Sequence, residues 1–234
     1  MLGLLNFRKR KGTVIDETLP VGKVRYVIID TELTGLDEKR DSIVSMAAIR
    51  MVGGRIDFGD VFYKLVNPET ELTAKSIIIH GITPSDVVEK PEIATVLSEF
   101  VQFCGNDVVV GHCISVDLAF INREMKRILG YALKNEVLDT SAIYEWIRKR
   151  YSSQRTFPSR FTDSGLFDIA EHFGVSVTGA HNAAMDAFIT AQVFQRFIPM
   201  LTGGGINSIG DLLGIGNPSK GGDRTGHAIG MYTF

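Results

Sequence analysis

The stretch that decides the fold is Val24–Leu36, VRYVIIDTELTGL. Its first half, Val24–Asp30, is rich in β-branched and aromatic residues and reads as a strand. Tyr26-Val27-Ile28-Ile29 is an unbroken apolar run, and Asp30 and Glu32 follow it at once. A charged residue directly after a buried strand is costly unless something pairs with it. Residues of a strand alternate faces, so Asp30 and Glu32 point the same way if strand geometry continues through Thr31. The arrangement recurs downstream. Val108-Val109-Val110-Gly111 is a second short buried strand with Asp117 beyond it, and Gly179–Phe188, GAHNAAMDAF, carries His181 and Asp186. Four carboxylates and a histidine in such positions point to one divalent-metal site.

Two carboxylates that close raise each other's pKa and resist ionising together. Hard cations remove that repulsion, and carboxylate oxygens are what Mg²⁺ or Mn²⁺ prefer. A pair of such ions roughly 3.5–4 Å apart holds both the attacking and the leaving oxygen of an in-line displacement. Asp30 is the candidate to bridge them. His181 lies in a loop just before a helix, where an exposed imidazole suits a general base. Asp186, farther along that helix, can be aimed at the same pocket. Asp117 taken alone also reads as a helix N-cap, and Asp37, Asp41 and Asp139 read as turn or cap residues, with Asp139 near enough to stand behind the site. His112 reads as a satisfied buried histidine, His172 as a surface one and Trp146 as core.

At 234 residues the chain is long enough for one large domain or two small ones. Its apolar runs fall far short of the roughly 18–20 residues of a membrane span. The N-terminus places apolar residues before basic ones, the reverse of a secretory signal. Cys104 and Cys113 make no disulfide framework and read as reduced core thiols of a cytoplasmic protein. The net charge of −2 gives the whole molecule no strong pull toward nucleic acid, so any polyanionic substrate has to be met locally. Two basic clusters offer themselves, Arg8–Lys11 and Arg148–Arg150 with Arg155 and Arg160.

One domain over 23–200 is expected, an α/β unit with a mixed five-stranded sheet flanked by helices. Residues 1–22 read as a flexible basic leader. Ile43–Met51 and Arg55–Val66 read as a hairpin turning at Gly53-Gly54. Val108–Gly111 and Val137–Asp139 complete the strands. Helices are expected from Pro91, over Leu118–Leu129, from Thr140 or Ser141, over Ser164–Phe173, and over Asn182–Phe197 with a stop near Pro199. Glycines concentrate in 201–234 and argue for a tail without a packed core, apart from a small docking segment at Ile209–Leu213.

Asp30-Thr31-Glu32-Leu33-Thr34-Gly35-Leu36, then Gly111-His112 with Asp117, then His181-x4-Asp186, resemble the three motifs of the DEDDh 3′–5′ exonucleases. That family includes the proofreading epsilon subunit of bacterial DNA polymerase III. Tyr63–Pro68 and Ile79–Thr83 also look like the family, and the resemblance covers about 24–199. It implies a ribonuclease H-like fold and hydrolysis with two divalent ions, Mg²⁺ or Mn²⁺, releasing nucleoside 5′-monophosphates from a free 3′ end. Asp30, Glu32 and Asp186 would hold one metal, Asp30 and Asp117 the second, and His181 would be the base. The terminal nucleotide would meet Thr31, Leu33, Thr34, Gly35 and His80. Leu33, Cys113, Val116 and Asn182 depart from the family's usual residues and leave substrate preference open. The leading expectation is action on single-stranded DNA in proofreading or repair, with a polymerase partner tethered through 201–234. An exoribonuclease and a silent binding or polymerase-docking module are the alternatives.

Overall fold

The computed structural model describes residues 15–152 and 165–219. Arg8–Lys11, Arg155, Arg160 and Ser164 therefore lie outside the described residues. Five strands, β1 (Arg25–Leu33), β2 (Ile43–Val52), β3 (Arg55–Leu65), β4 (Val108–Gly111) and β5 (Val137–Asp139), form one sheet in the order β3-β2-β1-β4-β5. β1 is antiparallel to β2, as β2 is to β3, while β1, β4 and β5 run parallel. The sheet is mixed, as its hairpin-then-crossover order implies. Eight α-helices accompany it among the described residues: α1 (Ala74–His80), α2 (Pro84–Val87), α3 (Ile93–Cys104), α4 (Ser115–Leu129), α5 (Thr140–Tyr151), α6 (Leu166–His172), α7 (Ala183–Gly203) and α8 (Ile209–Gly216).

β1 is the central strand, and Tyr26, Val27, Ile28 and Ile29 are all buried because helices cover both faces. Alternation sorts them. Tyr26 and Ile28 belong to a core built with Ile143, Ala187, Phe194 and Phe197 of α5 and α7. Val27 and Ile29 belong to a second core with Leu97 and Phe100 of α3 and Phe120 and Ile121 of α4. Cys104 and Cys113 are both buried, and neither is in a disulfide. Trp146 packs against the first core.

The structure differs from the sequence expectations at both ends of the domain. Val21 is buried, and residues 17–21 pair with 207–210: Val21 N–H donates to Asn207 O at 3.0 Å, Ile209 N–H to Leu19 O at 2.9 Å and Gly210 N–H to Glu17 O at 2.9 Å. α8 is no loose tail, since Ile209, Leu212 and Leu213 are buried in the first core. Gly216 serves that packing. A Cβ on Gly216 would lie 2.9 Å from Ile143 and 3.0 Å from Leu138, so a side chain there would push α8 off α5 and β5. α7 runs through Pro199 to Gly203, beyond the expected stop, because Phe197 and Leu201 remain buried and the Tyr151 hydroxyl donates to Met200 O at 2.7 Å. α1 was not expected at all. Leu212→Ala should cost roughly 2–5 kcal/mol, the usual range for truncating a fully buried leucine. Urea denaturation measures it, and a cost under 1 kcal/mol would return α8 to the status of a loosely held appendage.

Candidate active site

β1 stays extended through Leu33, with a register shift only between Glu32 and Leu33. Asp30 and Glu32 consequently share the face of Tyr26 and Ile28, toward α7. α7 begins at Asn182, whose Oδ1 accepts from Ala184 N–H at 3.1 Å and Met185 N–H at 3.4 Å. Asn182, one of the departures from the family's usual residues, thus acts here as the cap. It sets Asp186 in the first turn, facing β1. Carboxylate oxygens of Asp30, Glu32 and Asp186 all lie within 4.8 Å of one another.

Thr31 points to the opposite face, toward α4. There its hydroxyl donates to Asp117 Oδ1 at 2.6 Å. Asp117 is buried inside the first turn of α4, which starts at Ser115, so it is not the N-cap. It approaches the end of β1 from the other side and stands outside the group of three. Asp139 caps α5, accepting at one oxygen, Oδ1, from Ser141 N–H at 2.9 Å, the Ser141 hydroxyl at 2.7 Å and Cys113 N–H at 3.0 Å. The last bond holds the turn into α4, where Cys113 adopts φ +49°.

Charge crowding shapes the titration of the site. Burial, then the charges of Asp117, Glu32 and Asp186, push Asp30 well above the ordinary carboxylate range. Glu32 rises to about 8 through burial and then the charges of Asp186 and Asp117. Asp117 rises to about 7 through burial, opposed by the Thr31 hydrogen bond. Asp186 rises to about 7 through burial, opposed by the His181 N–H that donates to its Oδ2 at 3.2 Å. Asp186 Oδ1 is buried with no hydrogen-bond partner. An orphaned carboxylate oxygen beside two further carboxylates that resist ionising is the donor set of a hard divalent cation.

These groups floor a cleft of about 470 Å³. His181, at φ +65°, is exposed on its wall, with its ring edge-to-face against Phe167 at 5.0 Å. His80 closes α1 and is buried in the lining of the same cleft, where Nδ1 accepts from Ile82 N–H at 3.0 Å and Nε2 has no partner. Burial lowers its pKa, so the neutral ring carries its proton at Nε2. His112 also lines the cleft, with Nδ1 2.9 Å from the Thr140 hydroxyl. Thr31, Leu33, Thr34, Gly35 and Leu36 all border it.

Both threonine hydroxyls expected at the substrate are engaged within the protein. Thr34 Oγ1 donates to Asp41 Oδ1 at 3.1 Å and accepts from Ser42 N–H at 2.9 Å. Gly35 lies so close to the Asp41 carboxylate that a Cβ would come within 2.5 Å of it. Leu33 packs toward the second core. Sequence reading missed the contributions of α1 (Lys75, Ser76, Ile79) and α6 (Phe167, Asp168) to the walls. A signal for α1 existed: Thr73, whose hydroxyl accepts from Ser76 N–H, caps it, and Gly81 stops it.

The family model described as an exonuclease matches residues 27–194. The chain therefore belongs to this exonuclease family, as a 3′–5′ exonuclease. It is 34% identical to DNA polymerase III subunit epsilon of Aquifex aeolicus over 75% of this chain and 81% of that protein. It is also 31% identical to DNA polymerase III PolC-type of Thermotoga maritima, over 82% of this chain but only 13% of that one. Its fold superposes on E. coli exonuclease I in complex with a dT13 oligonucleotide with a TM-score of 0.67, at 16% identity, over 77% of this chain and 42% of that one. The fold is ribonuclease H-like.

The raised carboxyls make stability pH-dependent with a definite sign. Below about 4 both folded and unfolded chains hold these protons. Between there and about 7–8 only the folded state does, so stability falls as pH rises through that window. In EDTA the melting temperature should drop from pH 5 to pH 8, and Mn²⁺ should restore more of it at pH 8 than at pH 6. A flat profile in EDTA would contradict the crowding of the carboxylates.

Proposed function

We propose that the protein removes nucleoside 5′-monophosphates from the 3′ end of single-stranded DNA, in proofreading or repair, with two Mg²⁺ or Mn²⁺ ions held by Asp30, Glu32, Asp186 and Asp117. The convergence of three carboxylates within 4.8 Å, beside Asp117 and His181 in one cleft, carries this reading. When bound, such ions lower the pKa of the attacking water and neutralise charge on the scissile phosphate. Asp30, Glu32 and Asp186, with Asp117 oriented by Thr31, would hold the ions and through them the scissile phosphate. A ring nitrogen of His181 takes the proton of the attacking water as the new O–P bond forms and the P–O3′ bond to the leaving nucleotide breaks. The 3′ oxygen of the shortened strand is protonated from solvent. His80 offers its Nε2–H as a fixed donor to the terminal nucleotide. DNA is favoured because the relatives are DNA polymerase III proteins.

On matched 5′-labelled DNA and RNA oligonucleotides, a metal-dependent ladder shortening from the 3′ end is expected, faster on DNA. Asp30→Ala should abolish it, and His181→Ala should slow it roughly 10²–10⁴-fold while metal binding persists. Faster cleavage of RNA would make the protein an exoribonuclease. Equal loss of metal in both variants would remove His181 from the base role.

A polymerase partner, reached through the chain that follows α8, and a cytoplasmic setting complete the proposal. Among the described residues no helix is long and apolar enough to cross a membrane. Residues 220–234 lie outside the described residues. Deleting them should leave hydrolysis intact and weaken capture of a polymerase III catalytic subunit in a pull-down. Retained capture would place the contact on the folded domain.

A further inference from the structure

We propose that Asp139 is a positioning residue for Asp117, the ligand assigned above to the second ion, and that it acts through the turn joining β4 to α4. The inference rests on the exonuclease reading above and deepens it by a residue behind the cleft. Asp117 needs such support. It stands in the first turn of α4, and that helix begins without a cap of its own: Ile114 holds the N-cap position in helical backbone geometry and makes no side-chain cap bond. The first amide N–H groups of a helix have no partner within it, and Ser, Thr, Asp or Asn at the N-cap ordinarily serves one of them. Helix ends fray, and a ligand carried on an unheld first turn would move with it. The Thr31 hydroxyl restrains the Asp117 carboxylate at 2.6 Å, but the backbone that carries it requires a separate hold.

That hold comes from the neighbouring strand. β4 and β5 pair in parallel with Gly111 opposite Asp139, so the two strands end side by side. Asp139 is buried, and the Oδ1 that caps α5 through Ser141 also accepts from Cys113 N–H at 3.0 Å. One carboxylate oxygen therefore caps its own helix and clamps the entry to the next. A second tie runs beside it. The Thr140 hydroxyl donates to Gly111 O at 3.2 Å and lies 2.9 Å from His112 Nδ1.

The turn between these ties is tight. A Cβ on Gly111 would come within 2.8 Å of Ile114 Cγ1, so the chain folds directly back over the end of β4. Cys113 completes the turn at φ +49°, a region that residues other than Gly, Asn and Asp seldom enter. Cysteine has no local preference for that conformation, so a bond from outside the turn has to hold it there. Released from Asp139, Cys113 would relax toward negative φ and carry the start of α4 with it. Asp139 thus keeps the Asp117 backbone in register with β1, and Thr31 sets the last few tenths of an ångström at the carboxylate itself.

Asp139→Ser and Asp139→Asn, made in the full chain, separate the clamp from the cap. Serine is as favoured an N-cap as aspartate, so α5 keeps its cap, but its hydroxyl is one bond shorter and falls short of Cys113 N–H. Asparagine keeps an acceptor at Oδ1. Mn²⁺ binding without substrate, followed by the EPR signal of the free ion, is the first readout. Asp139→Ser should weaken one of two bound ions roughly ten-fold, the low end of what outer partners of a metal site contribute, and leave the other unchanged. Amide exchange at the start of α4 should quicken in EDTA, and kcat should fall with KM for the oligonucleotide unchanged. Asp139→Asn should restore all three. An unaltered Mn²⁺ isotherm in Asp139→Ser would overturn the inference, and so would equal weakening of both ions, the mark of general damage. Asp139→Asn no better than Asp139→Ser would assign the effect to charge instead of the bond to the turn, again overturning it. Wild-type protein that binds two Mn²⁺ yet shortens neither DNA nor RNA would bring down the exonuclease reading and leave the positioning of Asp117 standing.

Discussion

Mutual repulsion among carboxylates at the end of a buried strand is the constraint on which this structure depends. Asp30, Glu32 and Asp186 converge where burial and neighbouring charge penalise ionisation, and Asp117 adds to the field from the other side of the sheet. Such a cluster persists because two hydrophobic cores, one on each face of β1, hold the strand against α7 and α4. The energy that packs the cores is what keeps the charges together. A hard cation turns that cost into affinity.

Period-two alternation along β1 divides the work. Asp30 and Glu32 look toward α7, and Thr31 looks toward α4, so three consecutive strand residues place one carboxylate pair and one hydroxyl on opposite faces. The hydroxyl then anchors Asp117 at 2.6 Å. The site lies at the carboxyl ends of β1 and β4, parallel neighbours at the middle of the sheet, where open α/β sheets place their crevices.

The loop after β1 is held from within. Thr34 and Gly35 close on Asp41, and Arg123 pins Glu38 to α4. A loop so tied presents a preformed wall to the cleft. His80 faces it from α1, its Nδ1 engaged and its Nε2 unpartnered.

Much of this was written in local sequence. Strands β4 and β5 match their expected spans, β1 to β3 fall within three residues of theirs, and the run Tyr26–Ile29 followed by Asp30-x-Glu32 declared both the central strand and the metal-seeking pair. Those features are legible because strand periodicity and the cost of a buried charge act over a few residues. What the tertiary structure decided is where long-range packing overrules local signals. Gly216, which reads as part of a tail, sits at the end of α8 where Ile143 and Leu138 leave no room for a Cβ. Pro199 does not stop α7, because Phe197 and Leu201 stay buried on either side of it. Asp117 taken alone reads as a helix N-cap, but α4 starts two residues earlier and Thr31, eighty-six residues before it, reaches its carboxylate. Sequence by itself picked out the acidic residues, because a charge at the end of a buried strand shows locally; only the packing of two helices on opposite faces of one strand decided which of their oxygens converge.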